Sequence, residues 1–424
     1  MIGGTLVGAD VESDGASFDT RSLRPGELFV PIVAERDGHD FISAAAAGGA
    51  AATLSSRPGT ALIPTITVAD TGAALLDLAT WARTQVAATV VGITGSVGKT
   101  STKDLVRVAV GSGRRVAANE RSFNNEQGLP VTVLGAPDDT EVLVLEMGMR
   151  GFGEIRRLCD VARPHIGIVT AVAPAHTERV GSIEGVARAK AELVEALPAS
   201  GAAILNADDP LVAAMATRTS ADVVTFGREA GADVCIDDLA LDDLARPRFT
   251  VRTPWGTAKV RLAVSGEHMA TNAAAALAVA GVLGVDLATA AAALDGAELS
   301  AMRMQLVRAA AGGLVINDAY NANPTSMAAA LAALAAVDAD RRVAVLGTMA
   351  ELDDPDPAHR EIAARAAALG LELVAVDTAR FGVEPVAVAD VVARVGTVGP
   401  RVAVLVKASR AVGLERIAVA LARG

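Results

Sequence analysis

A strand, a glycine-rich turn and a helix follow one another between Ala88 and Val110, and this order constrains the fold more than any other stretch. The apolar run that closes at Val91 predicts a buried strand, and Lys99 and Thr100 open an apolar-periodic helix. Glycines between the two let backbone N–H groups turn toward an anion, which the helix dipole also favours. The stretch therefore predicts an α/β sheet that holds a nucleotide triphosphate at the start of this helix.

The turn has the form T-G-S-x-G-K-T, which differs from the usual phosphate-loop spacing because Ile93 stands where that spacing has a glycine. A glycine-rich turn without a ligand is the simpler alternative. We expect Lys99 to reach terminal phosphates and the Thr100 hydroxyl to ligate Mg²⁺. The predicted nucleotide contacts form one run: Thr94, Gly95, Ser96, Val97, Gly98, Lys99, Thr100 and Ser101.

Charge and composition exclude several classes of protein. The net charge of −11 argues against non-specific nucleic-acid binding, which depends on Lys and Arg. Cys159 and Cys235 are the only cysteines and lie far apart, which rules out a thiolate zinc site and a disulfide framework. No signal peptide and no membrane span are predicted. We expect a cytoplasmic protein that acts as a monomer.

The chain of 424 residues is too long for one ordinary core, and its pattern of elements predicts three α/β domains. Residues 1–85 form a small N-terminal unit. Residues 86–297 alternate strands and helices around a mostly parallel sheet, with an antiparallel hairpin between Phe249 and Val264. Residues 298–424 repeat the βα pattern. The predicted fold is a central phosphate-loop domain flanked by a small N-terminal domain and a C-terminal Rossmann-like domain.

Polar residues follow two predicted strands of the central domain. Glu146 comes directly after Val142–Leu145, and His176 lies beyond Ile166–Thr170. Because the carboxyl ends of parallel strands meet at the ligand crevice of an open sheet, both can reach one ligand. Glu146 is expected to ligate Mg²⁺, whereas a loop histidine alone leaves packing and function equally open. Lys190 lies on a helix among alanines, a position more typical of a solvated lysine.

Other polar positions are weaker candidates on composition alone. Arg21 could hold an anion or be a solvated loop residue, and Asn124-Asn125 is typical of a turn. His268 and Asn272 share one face at a helix start, where capping is the simpler interpretation. In the last domain, candidate residues that follow strands are Asp318, Tyr320, Asn321, Asn323, Lys407, Ser409 and Arg410.

The order of these motifs resembles the Mur ligases, the ATP-dependent peptide-forming enzymes of peptidoglycan assembly. The matching segments include FDTRSLRPGELFVPI, DGHDFI, GITGSVGKTSTKD, SFNNEQGLPVTVL, LEMGMRGFGEI, GEHMATNAAAA, NDAYNANPTSM, VLGTMAEL and VKASRAVGLER. FNNE-GLP, EMGM followed by GEI, and YNANP-SM look like the MurF branch, which joins D-alanyl-D-alanine to a UDP-N-acetylmuramoyl tripeptide. The phosphate loop with Ile93 is the form that this family uses.

The resemblance implies a catalytic centre that holds ATP and Mg²⁺. Its members would be Lys99, Thr100, Glu146, His176 and Lys190, and all except Lys99 would be metal ligands. The lysine at the family's second-metal position is typically a carbamate, which is an anionic ligand. The resemblance therefore gives Lys190 a function that the alanine-rich sequence around it does not suggest.

The same resemblance assigns the remaining candidates to ATP or to the substrates. His268 and Asn272 match the adenine-side motif, and Arg303 and Asp318 look like nucleotide contacts from the C-terminal domain. The expected substrate residues are Thr20, Arg21, Asn124, Asn125, Tyr320, Asn321, Asn323, Lys407, Ser409 and Arg410.

The implied reaction begins when ATP converts the tripeptide carboxyl into an acyl phosphate, which the amine of D-alanyl-D-alanine then attacks. We expect closure of the last domain over the central one to complete the site. Two alternatives stay open. One is a Mur-type amide ligase with another acceptor or amine, motivated by the motif 34–39, which is one residue shorter than in the family. The other is a weakly catalytic nucleotide-binding scaffold, against which the intact catalytic residues count.

Overall fold

Three β-sheets, one after another along the chain, carry the architecture. The computed structural model describes residues 2–58, 62–119, 123–174, 177–350, 352 and 354–424. Each sheet lies within one of the segments 1–85, 86–297 and 298–424, and we keep those boundaries as proposed domain limits. In the described part of the chain, no helix is long and apolar enough to cross a membrane.

The N-terminal sheet has five strands in the order β1-β5-β4-β3-β2, and β1 is antiparallel to β5. Its elements are β1 (Thr5–Val7), β2 (Ala16–Ser17), β3 (Leu28–Phe29), α1 (Ile42–Ala47), β4 (Ala52–Ser55), β5 (Thr65–Thr67) and α2 (Thr71–Gln85). The apolar run 28–33 predicts one buried strand, which is wrong beyond Phe29. Pro31 has no N–H for a ladder, and Val33 is 64% exposed.

The central sheet has nine strands in the order β14-β13-β12-β11-β10-β9-β6-β8-β7. Its strands are β6 (Thr89–Thr94), β7 (Val116–Ala118), β8 (Val142–Glu146), β9 (Ile166–Val169), β10 (Ala202–Asn206), β11 (Asp222–Gly227), β12 (Val234–Leu241), β13 (Pro247–Thr253) and β14 (Gly256–Arg261). Strands β6 to β12 pair in parallel, and β13 and β14 form the predicted antiparallel hairpin. Because β6 lies between β8 and β9, the loops after these three strands meet at one edge of the sheet.

Helices cover both faces of the central sheet. They are α3 (Lys99–Gly111), α4 (Gly128–Leu134), α5 (Glu154–Ala162), α6 (Thr177–Val180), α7 (Ile183–Glu195), α8 (Pro210–Ala213), α9 (His268–Val282) and α10 (Leu287–Ala293). Helix α9 is buried along nearly all of its length, and seven of its residues between 270 and 280 are alanines. Because a methyl side chain is small, α9 packs closely against α3 and the sheet.

The C-terminal sheet has five strands in the order β15-β16-β19-β17-β18, and only β15 is antiparallel to its neighbour. Its elements are β15 (Gln305–Arg308), β16 (Leu314–Asn317), α11 (Pro324–Ala336), β17 (Arg341–Leu346), α12 (Pro355–Ala368), β18 (Glu372–Ala375), α13 (Val391–Val395), β19 (Val402–Lys407) and α14 (Glu415–Arg423). One apolar cluster runs from Leu105 in the central domain to Leu331 in the C-terminal one, so the two share a packed interface.

Arg83 joins the end of α2 to the central sheet. Its guanidinium donates to the backbone oxygens of Ala162 (2.9 Å), Val86 (2.7 Å) and Ala88 (3.1 Å). The residue is 7% exposed, so these carbonyls have little water to replace a lost donor. Arg83 therefore fixes the segment between the N-terminal and central domains.

We expect Arg83→Met to lower the free energy of unfolding by about 2–4 kcal/mol, because it leaves buried carbonyl oxygens without donors. Thermal unfolding of the full chain measures the change. Arg360→Met, at an exposed position of α12, is the matched control and should leave the midpoint within a degree or so. Equal midpoints for the two variants would contradict the proposed clamp.

Candidate active site

Two neighbouring elements press against the glycine-rich turn after β6. Gly98 has φ 85°, and a Cβ built on it would lie 2.8 Å from Oδ1 of Asn272 on α9. From the other side, Thr170 Oγ1 donates to the carbonyl of Val97 at 2.6 Å, and Ser96 Oγ donates to the carbonyl of Ala173 at 3.0 Å. Glycine is required at 98 because both the backbone angle and the space exclude a side chain.

The Lys99 ammonium lies close to the backbone of the loop itself. Lys99 Nζ donates to the carbonyl of Gly95 at 2.6 Å, so the side chain folds back over the turn. Thr94 Oγ1 is buried and makes no hydrogen bond among the described residues. The N-terminus of α3 faces the turn, and its N–H groups add to the positive potential of Lys99. This geometry suits an oligophosphate.

Glu146 is the last residue of β8 and is held from three directions. Thr100 Oγ1 donates to its Oε2 at 2.8 Å, and Asn124 Nδ2 donates to its Oε1 at 2.8 Å. The backbone N–H of Glu146 donates to Oδ1 of Asn119 at 3.0 Å. With 1% exposure, the carboxylate is fixed beside the phosphate loop. Thr100 and Glu146 thus present hard oxygen atoms to one point, the type of donor that Mg²⁺ prefers.

Lys190 is buried, so its interpretation as a solvated lysine is wrong. It lies on α7 with 4% exposure, and burial lowers the pKa of its ammonium well below the usual value, with Lys99 adding repulsion. Lys190 lies four residues from both Val186 and Val194 on the apolar face of the helix, a periodic signal of burial that its alanine neighbours obscure. A lower pKa raises the fraction of neutral amine, which is the form of lysine that reacts with CO₂ to give a carbamate. His176 lies outside the described residues.

Arg303 brings the C-terminal domain to the phosphate loop. Its Nη2 donates to Thr100 Oγ1 at 3.0 Å, and its guanidinium lies 4.2 Å from the centroid of the Tyr320 ring. Its Nε is buried without a hydrogen-bond partner in the described part of the chain. The guanidinium can therefore still donate a hydrogen bond from Nε to a phosphate oxygen.

Asp318 and Lys407 form a buried ion pair on the adjoining strand ends, with 2.5 Å between Oδ2 and Nζ. Lys407 also donates to the carbonyl of Asn321 at 2.9 Å, and the N–H of Met304 donates to Asp318 at 3.1 Å. Burial lowers the pKa of Lys407, and the nearby Asp318 opposes that shift. The pair fixes the loop that follows β16.

One cavity of about 560 Å³ lies between the central and C-terminal domains. Predicted residues that line it include Ser96, Val97, Gly98, Lys99, Thr100, Ser101, Asn124, Glu146, His268, Asn272, Arg303, Asp318, Tyr320, Asn321, Asn323 and Lys407. A second cavity of about 390 Å³ adjoins it and is lined by Gly95, Lys99, Asn124, Asn125, Lys190 and Asn321, among others. Most of the predicted residues therefore converge on one cleft.

His268 and Asn272 do not cap α9, so that simpler interpretation is wrong. The helix begins at His268, directly after Glu267, and no side chain caps its N-terminus. The side chain of Asn272 points toward Gly98. Burial lowers the pKa of His268 to about 4, with a smaller lowering from Lys407 and an opposing effect of Asp318. Its imidazole is therefore neutral near pH 7 and can both donate and accept a hydrogen bond.

Several predicted residues have local structural partners. Asn125 Oδ1 accepts from the N–H groups of Gln127 and Gly128, and Asn323 caps α11 through the N–H of Ser326. Ser409 Oγ accepts from the N–H of Ala350 at 2.9 Å. Asn125 holds a turn, as the plainer interpretation of its sequence predicts, and Asn323 begins a helix; both also line the cleft.

Five described candidates line neither of these two cavities: Thr20, Arg21, Thr94, Ser409 and Arg410. Arg21 pairs with Asp19 at 2.6 Å and is exposed, and Thr20 precedes it. Arg410 pairs with Glu415 at 2.6 Å. Instead, a cavity of about 440 Å³ between the N-terminal and central domains is lined by Ser56, the start of α2, Glu126, Gln127 and Arg157, among others.

The sequence interpretation missed Asn119, Thr170, Asn206 and Asp208. Asn119 holds the backbone of Glu146, and Asn206 Nδ2 donates to the carbonyl of Thr170 at 2.7 Å. Thr170, Asn206 and Asp208 line the larger cavity. Asn206 ends β10 just as Glu146 ends β8, so its position at a strand end is a signal that could have identified it.

We expect Gly98→Ala to weaken the binding of a non-hydrolysable ATP analogue about tenfold or more, because the alanine methyl meets Asn272 at a left-handed backbone position. Calorimetric titration measures the affinity. Gly111→Ala, on the same helix with no atom within 4 Å of the new methyl, is the matched control and should keep wild-type affinity. Equal affinity of the two variants would show that the turn is not a phosphate cradle.

Two family models match this chain. The one described as Mur ligase middle domain covers residues 93–280, and the one described as Mur ligase, glutamate ligase domain covers residues 302–423. Together they contain the phosphate loop, Glu146, Lys190 and the C-terminal residues of the cleft.

Individual relatives match over most of their length. The UDP-N-acetylmuramoyl-tripeptide--D-alanyl-D-alanine ligase of Mycobacterium tuberculosis is 43% identical over 422 residues, covering 90% of this chain and 82% of the relative. A crystal structure of MurF from Acinetobacter baumannii has a TM-score of 0.86 at 30% identity and covers 96% of this chain and 92% of its own. MurF from Thermotoga maritima, solved in complex with ADP, has a TM-score of 0.83 at 26% identity and covers 96% and 97%. The chain belongs to the Mur ligase family.

Proposed function

We propose that this chain is the ATP-dependent ligase that joins D-alanyl-D-alanine to UDP-N-acetylmuramoyl tripeptide. The observation that carries the proposal is one cleft in which Lys99, Thr100 and Glu146 of the central domain face Arg303 and Lys407 of the C-terminal domain. Such a site can hold a nucleotide on one side and a peptide acceptor on the other. The M. tuberculosis relative bears the name of this reaction.

The chemistry begins with a carboxylate that is a poor electrophile. Its oxygen attacks the γ-phosphorus of ATP, ADP leaves, and an acyl phosphate forms. The amine of D-alanyl-D-alanine then attacks the carbonyl carbon, and phosphate leaves from the tetrahedral intermediate. Lys99 and Arg303 lie where they can offset charge on the transferring phosphoryl group.

Mg²⁺ fits the donors that the cleft presents. Thr100 Oγ1 and Glu146 Oε2 lie 2.8 Å apart, and both are hard oxygen ligands. We propose His176 and a carbamate of Lys190 as ligands of a second ion, because burial lowers the pKa of Lys190 and so favours the amine form that reacts with CO₂. When bound, Mg²⁺ offsets negative charge on the phosphates and positions their oxygens.

The three cavities suggest where each substrate lies. We assign ATP to the 560 Å³ cavity, the peptide end of the acceptor to the adjoining 390 Å³ cavity, and its UDP end to the 440 Å³ cavity beside the N-terminal domain. The dipeptide would enter near Tyr320, Asn321, Asn323 and Lys407, with Ser409 and Arg410 farther out. Thr20 and Arg21 belong to the UDP-binding domain in this scheme. We further propose that the enzyme acts as a cytoplasmic monomer.

Phosphate release by the purified protein tests this function. With ATP and Mg²⁺ present, we expect release only when both UDP-N-acetylmuramoyl tripeptide and D-alanyl-D-alanine are added, because the acyl phosphate needs a carboxylate and an amine. Release with another acceptor or amine would instead favour a Mur-type ligase of different substrate. Tight ATP binding without any turnover would favour the scaffold.

The carbamate has its own test. We expect a ¹³C-NMR carbamate signal when the wild-type protein is incubated with ¹³C-bicarbonate, and no such signal from Lys190→Arg, whose guanidinium does not react with CO₂. Removal of dissolved CO₂ should lower wild-type activity, and bicarbonate should restore it. Lys190→Arg is expected to lose at least about a hundredfold in kcat, since a fixed cation replaces an anionic ligand. Undiminished activity without CO₂ would rule out the carbamate.

A further inference from the structure

Helix α3 contacts the interdomain linker at two points one helical turn apart. Asp104 Oδ2 accepts a hydrogen bond from the backbone N–H of Ser300 at 2.7 Å, and Thr100 Oγ1 accepts one from Arg303 at 3.0 Å. Thr100 and Asp104 lie at i and i+4 and so share one face of the helix. The first segment of the C-terminal domain therefore follows the face of the helix that begins at the phosphate loop.

The linker has a backbone that needs to be held in place. Met302 and Met304 have φ values of 62° and 48°, in the left-handed region that side chains other than glycine's disfavour. Such conformations persist where surrounding contacts determine them, and they concentrate at switches and active sites. On the far side, the N–H of Met304 donates to Asp318 at 3.1 Å. Arg303 stands between these two residues, so its position depends on the anchors at either end.

Asp104 is itself fixed in a buried polar chain. Its Oδ1 lies 3.2 Å from Nζ of Lys103, which donates to the carbonyl of Asn119 at 2.7 Å. The side-chain oxygen of Asn119 in turn accepts a hydrogen bond from the backbone N–H of Glu146. All four residues are 4% exposed or less. An acidic group at this depth is costly unless it is paired, and here Lys103 compensates its charge while Ser300 uses its other oxygen.

We propose that Asp104 is a positioning residue that anchors the interdomain linker so that Arg303 reaches the phosphate loop. This rests on the proposed function only in that Arg303 acts on the phosphates of ATP. Asp104 does not touch the reacting atoms, and its effect on the reaction passes through Arg303. The polar chain Asp104–Lys103–Asn119–Glu146 also fixes the position of the linker relative to the Glu146 carboxylate.

A double-mutant cycle tests the dependence on Arg303. We expect Asp104→Ala to lower kcat for ATP-dependent ligation about tenfold or more while changing the KM for ATP much less, because Arg303 acts mainly on the transferring phosphoryl group. In an Arg303→Ala background, Asp104→Ala should cost less than twofold further. Multiplicative losses in the double variant would overturn the proposal, since they would place the effect of Asp104 elsewhere.

A second variant protects the test against misfolding, since Asp104→Ala leaves Lys103 buried without its carboxylate. Ser300→Pro removes the N–H donor and keeps that ion pair. It should give the same loss in kcat and the same non-additivity with Arg303→Ala. Asp286→Ala is the control, because Asp286 likewise accepts a backbone N–H, from Thr289 at 2.8 Å, but caps α10 away from the cleft. It should lower thermal stability and leave kcat unchanged.

A distance measurement separates this inference from the proposed reaction. Because both native cysteines are buried, spin labels at Ser220→Cys and Glu384→Cys report the separation of the central and C-terminal domains. Without substrates, the wild-type protein should give a narrow distance distribution, and both Asp104→Ala and Ser300→Pro a broader one. Identical distributions would overturn the anchor even in an active enzyme. A broadened distribution in a protein that ligates nothing would uphold the anchor and reject the proposed function.

Discussion

The hydrogen bond between Thr100 and Glu146 joins the elements on which the whole site depends. Thr100 opens the helix after the phosphate loop, and Glu146 ends the neighbouring strand, so the 2.8 Å contact exists only because β6 and β8 pair in parallel. The same hydroxyl accepts a hydrogen bond from Arg303, which belongs to the C-terminal domain. One oxygen therefore connects the loop, the sheet edge and the C-terminal domain.

This convergence follows from strand order. The crevice of an open parallel sheet lies where the chain leaves neighbouring strands in different directions, and here that point is the carboxyl end of β6. Loops after β8 and β9 flank the phosphate loop, while α7 brings Lys190 beneath it. The C-terminal sheet presents the ends of β16 and β19 to the same space. The active site is thus assembled from strand ends, which explains why its residues are scattered along the chain.

Much of this could be predicted from the sequence because the signals are local. Apolar runs that end in Glu146 or Asn317 locate strands and their carboxyl ends, and the glycine spacing locates the loop. The burial of Lys190 also has a local signal, because it lies four residues from both Val186 and Val194 on the apolar face of α7. Glu184, Arg188 and Glu192 mark the opposite face. The contact between Asp104 and Ser300 spans 196 residues, and no local pattern reports it. Motif resemblance supplied the proposed role of Lys190, and packing explains why the pKa of its ammonium is lowered.

The central claim is that this site activates a carboxylate by phosphorylation, and the path of one oxygen atom tests it most directly. An acceptor whose reacting carboxyl carries ¹⁸O should transfer one labelled oxygen to inorganic phosphate, because that oxygen attacks the γ-phosphorus and then leaves with it. Mass spectrometry of the phosphate after ligation measures the transfer. We predict one ¹⁸O in each phosphate released from doubly labelled acceptor. Unlabelled phosphate accompanied by product would contradict an acyl-phosphate route.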